Sequence, residues 1–325
     1  MGLTIWSNHE LRAGEGAWLA RALAEAGHRL VMSAGATRLV LQGGGSDSAL
    51  AGADVVLGQP APEDVLAAPG VRWIEISTAG YARYDRPEFR AAMQARGTVV
   101  TNSSAVFANP CAEHVLAGML AVGRELPKYV RNQAGPREWG YLEGRYSADT
   151  LTGKTVVLLG FGAIGRRLAE LLAPFRCRVI AVRRSPRGDE GVEVVAEARL
   201  AEALAAADHV VNLLPDASGT RGYCDAARFA AMKRGVHFHN IGRGSTVRAD
   251  DLLAALRSGQ VGSAWLDALD PEPLPPDDPL WRAPNCHITP HVGGGHRDQD
   301  LNLARHFVDN LRRFERGEPL VDRVM

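Results

Sequence analysis

The sequence predicts an α/β protein made of two doubly wound parallel-sheet units. Three observations carry that reading. Apolar runs of strand length alternate with helical patterns nearly from end to end, the alternation breaks once and then restarts, and a glycine-rich turn joins a strand to a helix in the second half. A chain of 325 residues is too long for one compact core and suits two domains of ordinary size.

In chain order, residues 3–6 read as a strand and 15–26 as an amphipathic helix. Strands follow at 55–57, 71–76 and 98–101, with a short helix at 87–94. A long helix is expected over 110–132, where Ala112, Val115, Leu116, Met119 and Leu120 form an apolar stripe at helical spacing. The polar segment 135–140 then reads as a connection. Strands are expected again at 155–159, 178–182, 209–214, 236–240, 263–268 and 287–289, and a final helix at 296–316, with Leu301, Leu303, Phe307, Val308 and Leu311 apolar. The chain has no short-period repeat or low-complexity tract, only two α/β units in series.

Composition removes several function classes. Apolar residues make up 46% and charged residues 23%, the balance of a soluble globular protein. Lys plus Arg equals Asp plus Glu at 37 each, so no electrostatic argument favours nucleic acid or an anionic membrane as partner. No run of about 20 uninterrupted apolar residues offers a membrane span. Residues 1–7 lack the basic and apolar segments of a signal peptide, so a cytoplasmic location is expected. Cys111, Cys177, Cys224 and Cys286 are widely spaced without C-x-x-C, which predicts reduced thiols and no metal site.

The apolar run 155–159 leads into Gly160-Phe161-Gly162-Ala163-Ile164-Gly165, and helical periodicity follows over 166–172. G-x-G-x-x-G between strand and helix is the context that makes the pattern informative. The first glycine permits a tight turn, the second lets backbone approach a pyrophosphate, and the third lets helix and strand pack closely. The helix N-terminus adds free N–H groups and partial positive charge. Dinucleotide binding is the leading reading; a ligand-free βα turn and a methyltransferase-like nucleoside site are the alternatives. About 20 residues on, where an NAD site usually carries Asp or Glu, stands Arg183-Arg184-Ser185. Guanidinium groups and a hydroxyl attract a 2′-phosphate, so NADP is expected to be preferred over NAD. The alternative is that these are solvated residues at a strand end in a permissive site.

Three later segments each place polar residues just past an apolar strand: residues 240–244, 266–273 and 288–294. In open parallel sheets the carboxyl edge is where ligands bind. With Leu151-Thr152-Gly153-Lys154-Thr155, Asn212-Leu213-Leu214-Pro215, Met232-Lys233-Arg234-Gly235 and Ala112-Glu113-His114, these segments give a chain that resembles the D-isomer-specific 2-hydroxyacid dehydrogenases over nearly its whole length.

The resemblance implies a Rossmann cofactor domain, residues 105–292, inserted into a flavodoxin-like substrate domain, residues 1–104 and 293–325. It implies that Arg243 binds the substrate carboxylate and polarises the keto oxygen, a task suited to a planar fork. His291 takes the place of the acid/base, which protonates the carbonyl oxygen as hydride reaches carbon. Glu272 takes the place of its carboxylate partner, which favours imidazolium and orients the ring. Asp267 is expected to face the nicotinamide carboxamide. Cofactor contacts are also implied for Leu214, Pro215, Ile241, Gly242, Gly293 and Gly294, with Arg243 and His291 beside them. Backbone groups of Ala79, Gly80 and Tyr81 would hold the substrate carboxylate. A homodimer built around residues 110–146 is implied as well.

Some residues carry bland readings. Asp270 is a solvated or capping candidate, because the spacing of five from Asp267 favours Glu272. His287 reads as strand, His296 as a candidate substrate contact, and Glu113 and His114 as orienting a helix. Tyr81-Ala82-Arg83-Tyr84, the bulky Trp265, and His296-Arg297 after three glycines depart from the usual pattern and bear on substrate identity. The leading function is an NAD(P)-dependent reductase of small 2-keto acids such as glyoxylate or hydroxypyruvate. A phosphoglycerate-type dehydrogenase ranks below it, because no regulatory domain follows the last helix. A formate dehydrogenase would carry glutamine at 272. A nicotinamide-sensing corepressor on the same fold would show weak turnover and a peptide-binding cleft.

Overall fold

The structure, a computed structural model, describes residues 2–38, 45–184, 186 and 188–325. Two compact units emerge. Unit 1 takes Met1–Phe107 and His296–Met325, and unit 2 takes Ala108–Gly295.

In unit 1, strands β1 (Thr4–His9), β2 (Arg29–Thr37), β3 (Val55–Gly58), β4 (Trp73–Ile76) and β5 (Val99–Thr101) form a parallel sheet in the order β2-β1-β3-β4-β5. Helices α1 (Ala13–Glu25), α2 (Pro62–Ala67) and α3 (Pro87–Arg96) connect them. Side chains alternate across the pleat. Ile5, Val55 and Trp73 therefore enter one core cluster, while Trp6, Val56 and Ile74 enter another. Both faces are covered, which is why the central strand β3 reads as a continuous apolar run.

Helix α4 (Ser104–Gly123) carries the chain onward, followed by α5 (Leu126–Ala134) and α6 (Tyr141–Ser147). The single helix expected over 110–132 is thus two. Glu125 takes a left-handed conformation, φ 53°, and Pro127 sits in the first turn of α5, where a missing N–H costs nothing. At its other end α4 begins earlier than expected, with Pro110 in its interior. By length and composition α4 could cross a membrane, but Cys111, Ala112, Val115, Gly118 and Met119 are buried in the fold.

The second sheet contains β6 (Thr155–Leu159), β7 (Arg178–Val182), β8 (Glu193–Val195), β9 (His209–Asn212), β10 (Val236–Asn240), β11 (Val261–Leu266) and β12 (Cys286–Ile288). Its order is β12-β11-β10-β9-β6-β7-β8, parallel throughout, the doubly wound dinucleotide order with one further strand. Helices α7 (Ala163–Leu172), α8 (Leu200–Ala206), α9 (Ala226–Ala231) and α10 (Ala249–Arg257) lie between strands. Finally α11 (Gln299–Glu315) returns to unit 1, where Phe307, Val308 and Leu311 join the cluster of Ile5, Val55 and Trp73.

Two strands escaped the sequence reading for physical reasons. β2 is an edge strand of mixed burial whose short apolar run, Leu30-Val31-Met32, gives way to Ser33, Ala34 and Gly35. β8 is an edge strand of only three residues.

Candidate active site

Register aligns the candidate residues of unit 2. Val182, Leu159, Asn212, Asn240, Leu266 and Ile288 pair in one row across six strands. The next residues along each strand, Arg183, Gly160, Leu213, Ile241, Asp267 and Thr289, therefore line its carboxyl edge. Buried amides fasten this row. Asn212 Nδ2 donates to Asn240 Oδ1 at 2.9 Å and to Thr246 Oγ1 at 2.6 Å, and Asn240 Nδ2 donates to the Ala268 carbonyl at 2.8 Å. Sequence reasoning did not single out this network. An asparagine closing two neighbouring strands was the available signal.

The glycine loop has a separate reason for each glycine. Gly160 has φ +94° and its N–H donates to the Val182 carbonyl at 3.1 Å, closing the turn. A Cβ on Gly162, the N-cap of α7, would meet nothing within 4 Å, so the loop is open there to an approaching group. A Cβ on Gly165 would lie 3.2 Å from both Leu213 Cδ1 and Phe161 Cδ2, so helix and strand are in close contact. Ala163 and Ile164 open the first turn of α7. The arrangement fits a pyrophosphate held on backbone N–H groups at a helix N-terminus.

The neighbouring loops are equally tight. Gly242 packs so close to the β9 loop that a Cβ would lie 2.7 Å from the Leu214 carbonyl oxygen. The Pro215 carbonyl accepts from Thr220 Oγ1 at 2.6 Å. Ile241 is buried, and a Cβ on Gly293 would lie 2.4 Å from its Cδ1. Gly294 continues the same turn. At the end of β7, Arg183 Nη1 meets Glu190 Oε1 at 2.9 Å, Arg184 is exposed, and Ser185 lies outside the described residues.

Around β10 to β12 the chemistry-bearing residues gather. Arg243, half-buried and extended, donates from Nη1 to the Gly242 carbonyl at 2.7 Å. His291 has φ +54°, and its N–H donates to the carbonyls of Asp267 and Thr289, each at 3.0 Å. Asp267 is 3% exposed. Its Oδ1 accepts from Thr289 Oγ1 at 2.7 Å and from the Val292 N–H at 2.9 Å, and its Oδ2 accepts from the Gly293 N–H at 2.9 Å. The carboxylate expected to face a nicotinamide thus holds the left-handed turn that carries His291.

His291 Nδ1 lies 2.8 Å from Glu272 Oε2, and Glu272 Oε1 accepts the Leu269 N–H at 2.8 Å. Glu272, and not the exposed Asp270, meets the imidazole. Burial alone pushes the Glu272 carboxyl up. The His291 hydrogen bond, the Leu269 N–H and the charges of His291 and Arg243 outweigh it, and the net shift is downward. Among the described residues His291 Nε2 makes no hydrogen bond. A proton-carrying ring held by one nitrogen with the other presented outward can give or take a proton. His114 lies beneath this turn: Trp265 Nε1 donates to its Nε2 at 3.2 Å, and Thr289 Oγ1 lies 3.1 Å from the same atom.

In unit 1 the loop after β4 carries Ala79, Gly80 and Tyr81, all half-buried. The Ala79 carbonyl accepts from Asn102 Nδ2 at 2.7 Å and the Gly80 carbonyl from Thr78 Oγ1 at 2.7 Å. Among the described residues nothing accepts from the three N–H groups of Ala79, Gly80 and Tyr81. His296 lies 2.9 Å from Asn302 Nδ2 in the same unit.

A doubly wound sheet with this glycine loop and a carboxylate–imidazole pair on its carboxyl edge defines a nicotinamide-dinucleotide oxidoreductase. Residues 116–293 match the family described as D-isomer specific 2-hydroxyacid dehydrogenase, NAD binding domain. A human glyoxylate reductase/hydroxypyruvate reductase is 35% identical over 229 residues, 69% of each chain. An uncharacterized protein of Corynebacterium melassecola is 38% identical over 53% of this chain and 57% of its own length. A solved D-isomer specific 2-hydroxyacid dehydrogenase from Xanthobacter autotrophicus Py2, in complex with NADPH and MES, superposes with a TM-score of 0.80 at 28% identity, covering 100% of this chain and 98% of that one. The chain belongs to the family of D-isomer specific 2-hydroxyacid dehydrogenases, which are NAD(P)-dependent enzymes.

Proposed function

We propose that this protein reduces small 2-keto acids of the glyoxylate or hydroxypyruvate kind to D-2-hydroxy acids, with NADP preferred over NAD. The observation that carries the reading is the 2.8 Å pair of His291 and Glu272 on the same sheet edge as Arg243. When bound, the nicotinamide supplies or accepts the hydride. Gly160, Gly162, Ala163, Ile164 and Gly165 would hold its pyrophosphate, with Leu214, Pro215, Ile241, Gly242, Gly293 and Gly294 lining the same edge. His291 gives a proton to the keto oxygen in reduction and takes it back in oxidation. Glu272 fixes the ring and balances its charge. Arg243 pairs with the carboxylate and draws charge from the keto oxygen. Asp267 positions the His291 turn.

Arg183 and Arg184 at the end of β7 support the NADP preference, since cationic forks bind phosphate. A homodimer is proposed as well. Leu126, Val130, Trp139, Tyr141, Leu142 and Tyr146 are all exposed large hydrophobics on one short stretch of unit 2, and such patches mark association surfaces.

The test is steady-state turnover of a panel of 2-keto acids with NADPH and with NADH, beside light scattering for mass. Turnover restricted to 2-keto acids and faster with NADPH is expected. Tight dinucleotide binding without turnover of any 2-keto acid would point instead to a nicotinamide-sensing binding protein.

A further inference from the structure

The carboxylate that the end of β7 lacks in sequence is supplied by the loop that follows it. Glu190 lies seven residues beyond Arg183, yet its Oε1 is 2.9 Å from Arg183 Nη1 and its Oε2 accepts the Gly188 N–H at 2.8 Å. The side chain is 1% exposed and that of Arg183 17%. The pair stands beside the glycine turn, because Val182, the residue before Arg183, accepts the Gly160 N–H at 3.1 Å.

Burying a carboxylate is costly unless it is paired and hydrogen-bonded. Glu190 is both, and the pairing commits one face of Arg183 to it. A ribose 2′-phosphate arriving at the end of β7 would have to share that guanidinium with a carboxylate of its own sign. A ribose 2′-hydroxyl carries no charge for Glu190 to oppose. From this placement we infer that Glu190 is a specificity-determining residue: it favours the unphosphorylated ribose and counteracts the attraction of Arg183 and Arg184 for a 2′-phosphate. The inference rests on the dinucleotide reading of the glycine loop and is independent of which acid is reduced.

The sign of the effect separates this role from loop folding. A residue that only shapes the loop would, when changed, weaken both kinds of nucleotide together. One that discriminates by charge moves them apart. Glu190→Gln keeps the size and the acceptor for Gly188 while removing the charge, and Glu190→Asp keeps the charge. The probes are adenosine 2′,5′-bisphosphate and adenosine 5′-monophosphate, titrated calorimetrically against the parent and both variants, with kcat/KM for NADPH and NADH alongside.

The expected result for Glu190→Gln is a rise of about ten-fold or more in the affinity ratio of bisphosphate to monophosphate, the change of one charge-assisted contact. Glu190→Asp should stay near the parent. The parent itself should favour the bisphosphate by less than about a hundred-fold, because Arg183 is shared. This last measurement tests the inference even if the glutamine variant does not fold. An unchanged ratio, an equal loss for both probes, or a parent ratio far above that bound would overturn it. Failure of either probe to bind the parent would overturn it together with the dinucleotide reading. A shifted ratio in a protein that turns over no keto acid would support it while refuting the proposed substrate.

Discussion

Glu272 holds the His291 imidazole from one side and the backbone of its own loop from the other: Oε2 meets Nδ1 at 2.8 Å while Oε1 takes the Leu269 N–H at 2.8 Å. The ring is thereby fixed with Nε2 directed away from its partner. Removing the imidazole in His291→Ala should lower kcat/KM for keto-acid reduction by about 10²–10⁴-fold, the range for positioned acid–base catalysis. Glu272→Gln should cost less. The Glu272 carboxyl is shifted below its ordinary value of 4.5, so its charge persists as pH falls past that value and is lost only through the lower one. The part of the rate that depends on Glu272 should therefore survive mild acid. Profiles of kcat/KM against pH for parent and Glu272→Gln check this, and superimposable profiles would show that the carboxylate does not couple to the imidazole.

Arg243 carries the second expectation. Its guanidinium lies close enough to Glu272 for its charge to lower that carboxyl. Arg243→Ala should reduce turnover of 2-keto acids far more than it weakens dinucleotide binding. Arg243→Lys should restore little, since an ammonium cannot bind two oxygens in one plane. A simple ketone reduced by the parent as fast as its 2-keto acid counterpart would remove the carboxylate-binding role.

Gly244 ties the Arg243 loop to the Glu272 loop. A Cβ there would lie 1.9 Å from the Leu269 carbonyl carbon and oxygen and 2.5 Å from the Asp270 nitrogen, all backbone. No side chain can swing away to make room, so Gly244→Ala must displace the segment whose Leu269 N–H holds Glu272. Overpacking of this kind costs about 1–3 kcal/mol. Urea denaturation should show that loss, and kcat/KM should fall with it. Parent-like values for both would mean that the two loops move independently.

The parts of this site legible in sequence are those that repeat a local pattern. The glycine loop declares itself because strand, turn and helix lie within 18 residues of one another, from Thr155 to Leu172. Arg243, Asp267 and His291 are legible because each follows an apolar strand. What the sequence could not show are contacts set by tertiary register. Asn212 and Asn240 meet only because β9 and β10 are neighbours in register. Glu190 reaches Arg183 only because β8 turns back beside β7. The split of α4 from α5 was missed because the apolar stripe outweighed Pro127, whose ring ends one helix and begins the next.

Two groups of histidines set opposite limbs of the dependence of stability on pH. Under the second sheet, His209 Nδ1 lies 3.2 Å from His239 Nε2, and the His237 ring centroid is 5.0 Å from that of His209. His239 is 1% exposed and its Nδ1 is buried without a partner. Burial, reinforced by His237, lowers His209 to about 3. Burial also lowers His237 against the pull of Asp149 and Asp208, and holds His239 well below the ordinary 6.5. The unfolded chain would bind these protons near 6.5 while the folded one refuses them. Stability should therefore be complete above about 6.5 and fall as pH drops toward 3, with a slope approaching about 1.4 kcal/mol per pH unit for each such histidine. In unit 1, partial burial lowers His306, but Glu75 at 3.3 Å and Asp322 at 3.8 Å outweigh that and raise it. Its contribution is full below the unfolded value and is lost as pH rises through the folded one. The two limbs meet near the ordinary histidine value, and a stability maximum is expected there. Denaturant midpoints at half-unit steps from pH 5 to pH 9 locate it. His209→Asn should flatten the acid limb by up to one proton, and His306→Gln should flatten the alkaline limb. Stability that stays level from pH 8 to pH 5 in the parent would mean that His209, His237 and His239 accept protons in the folded state after all.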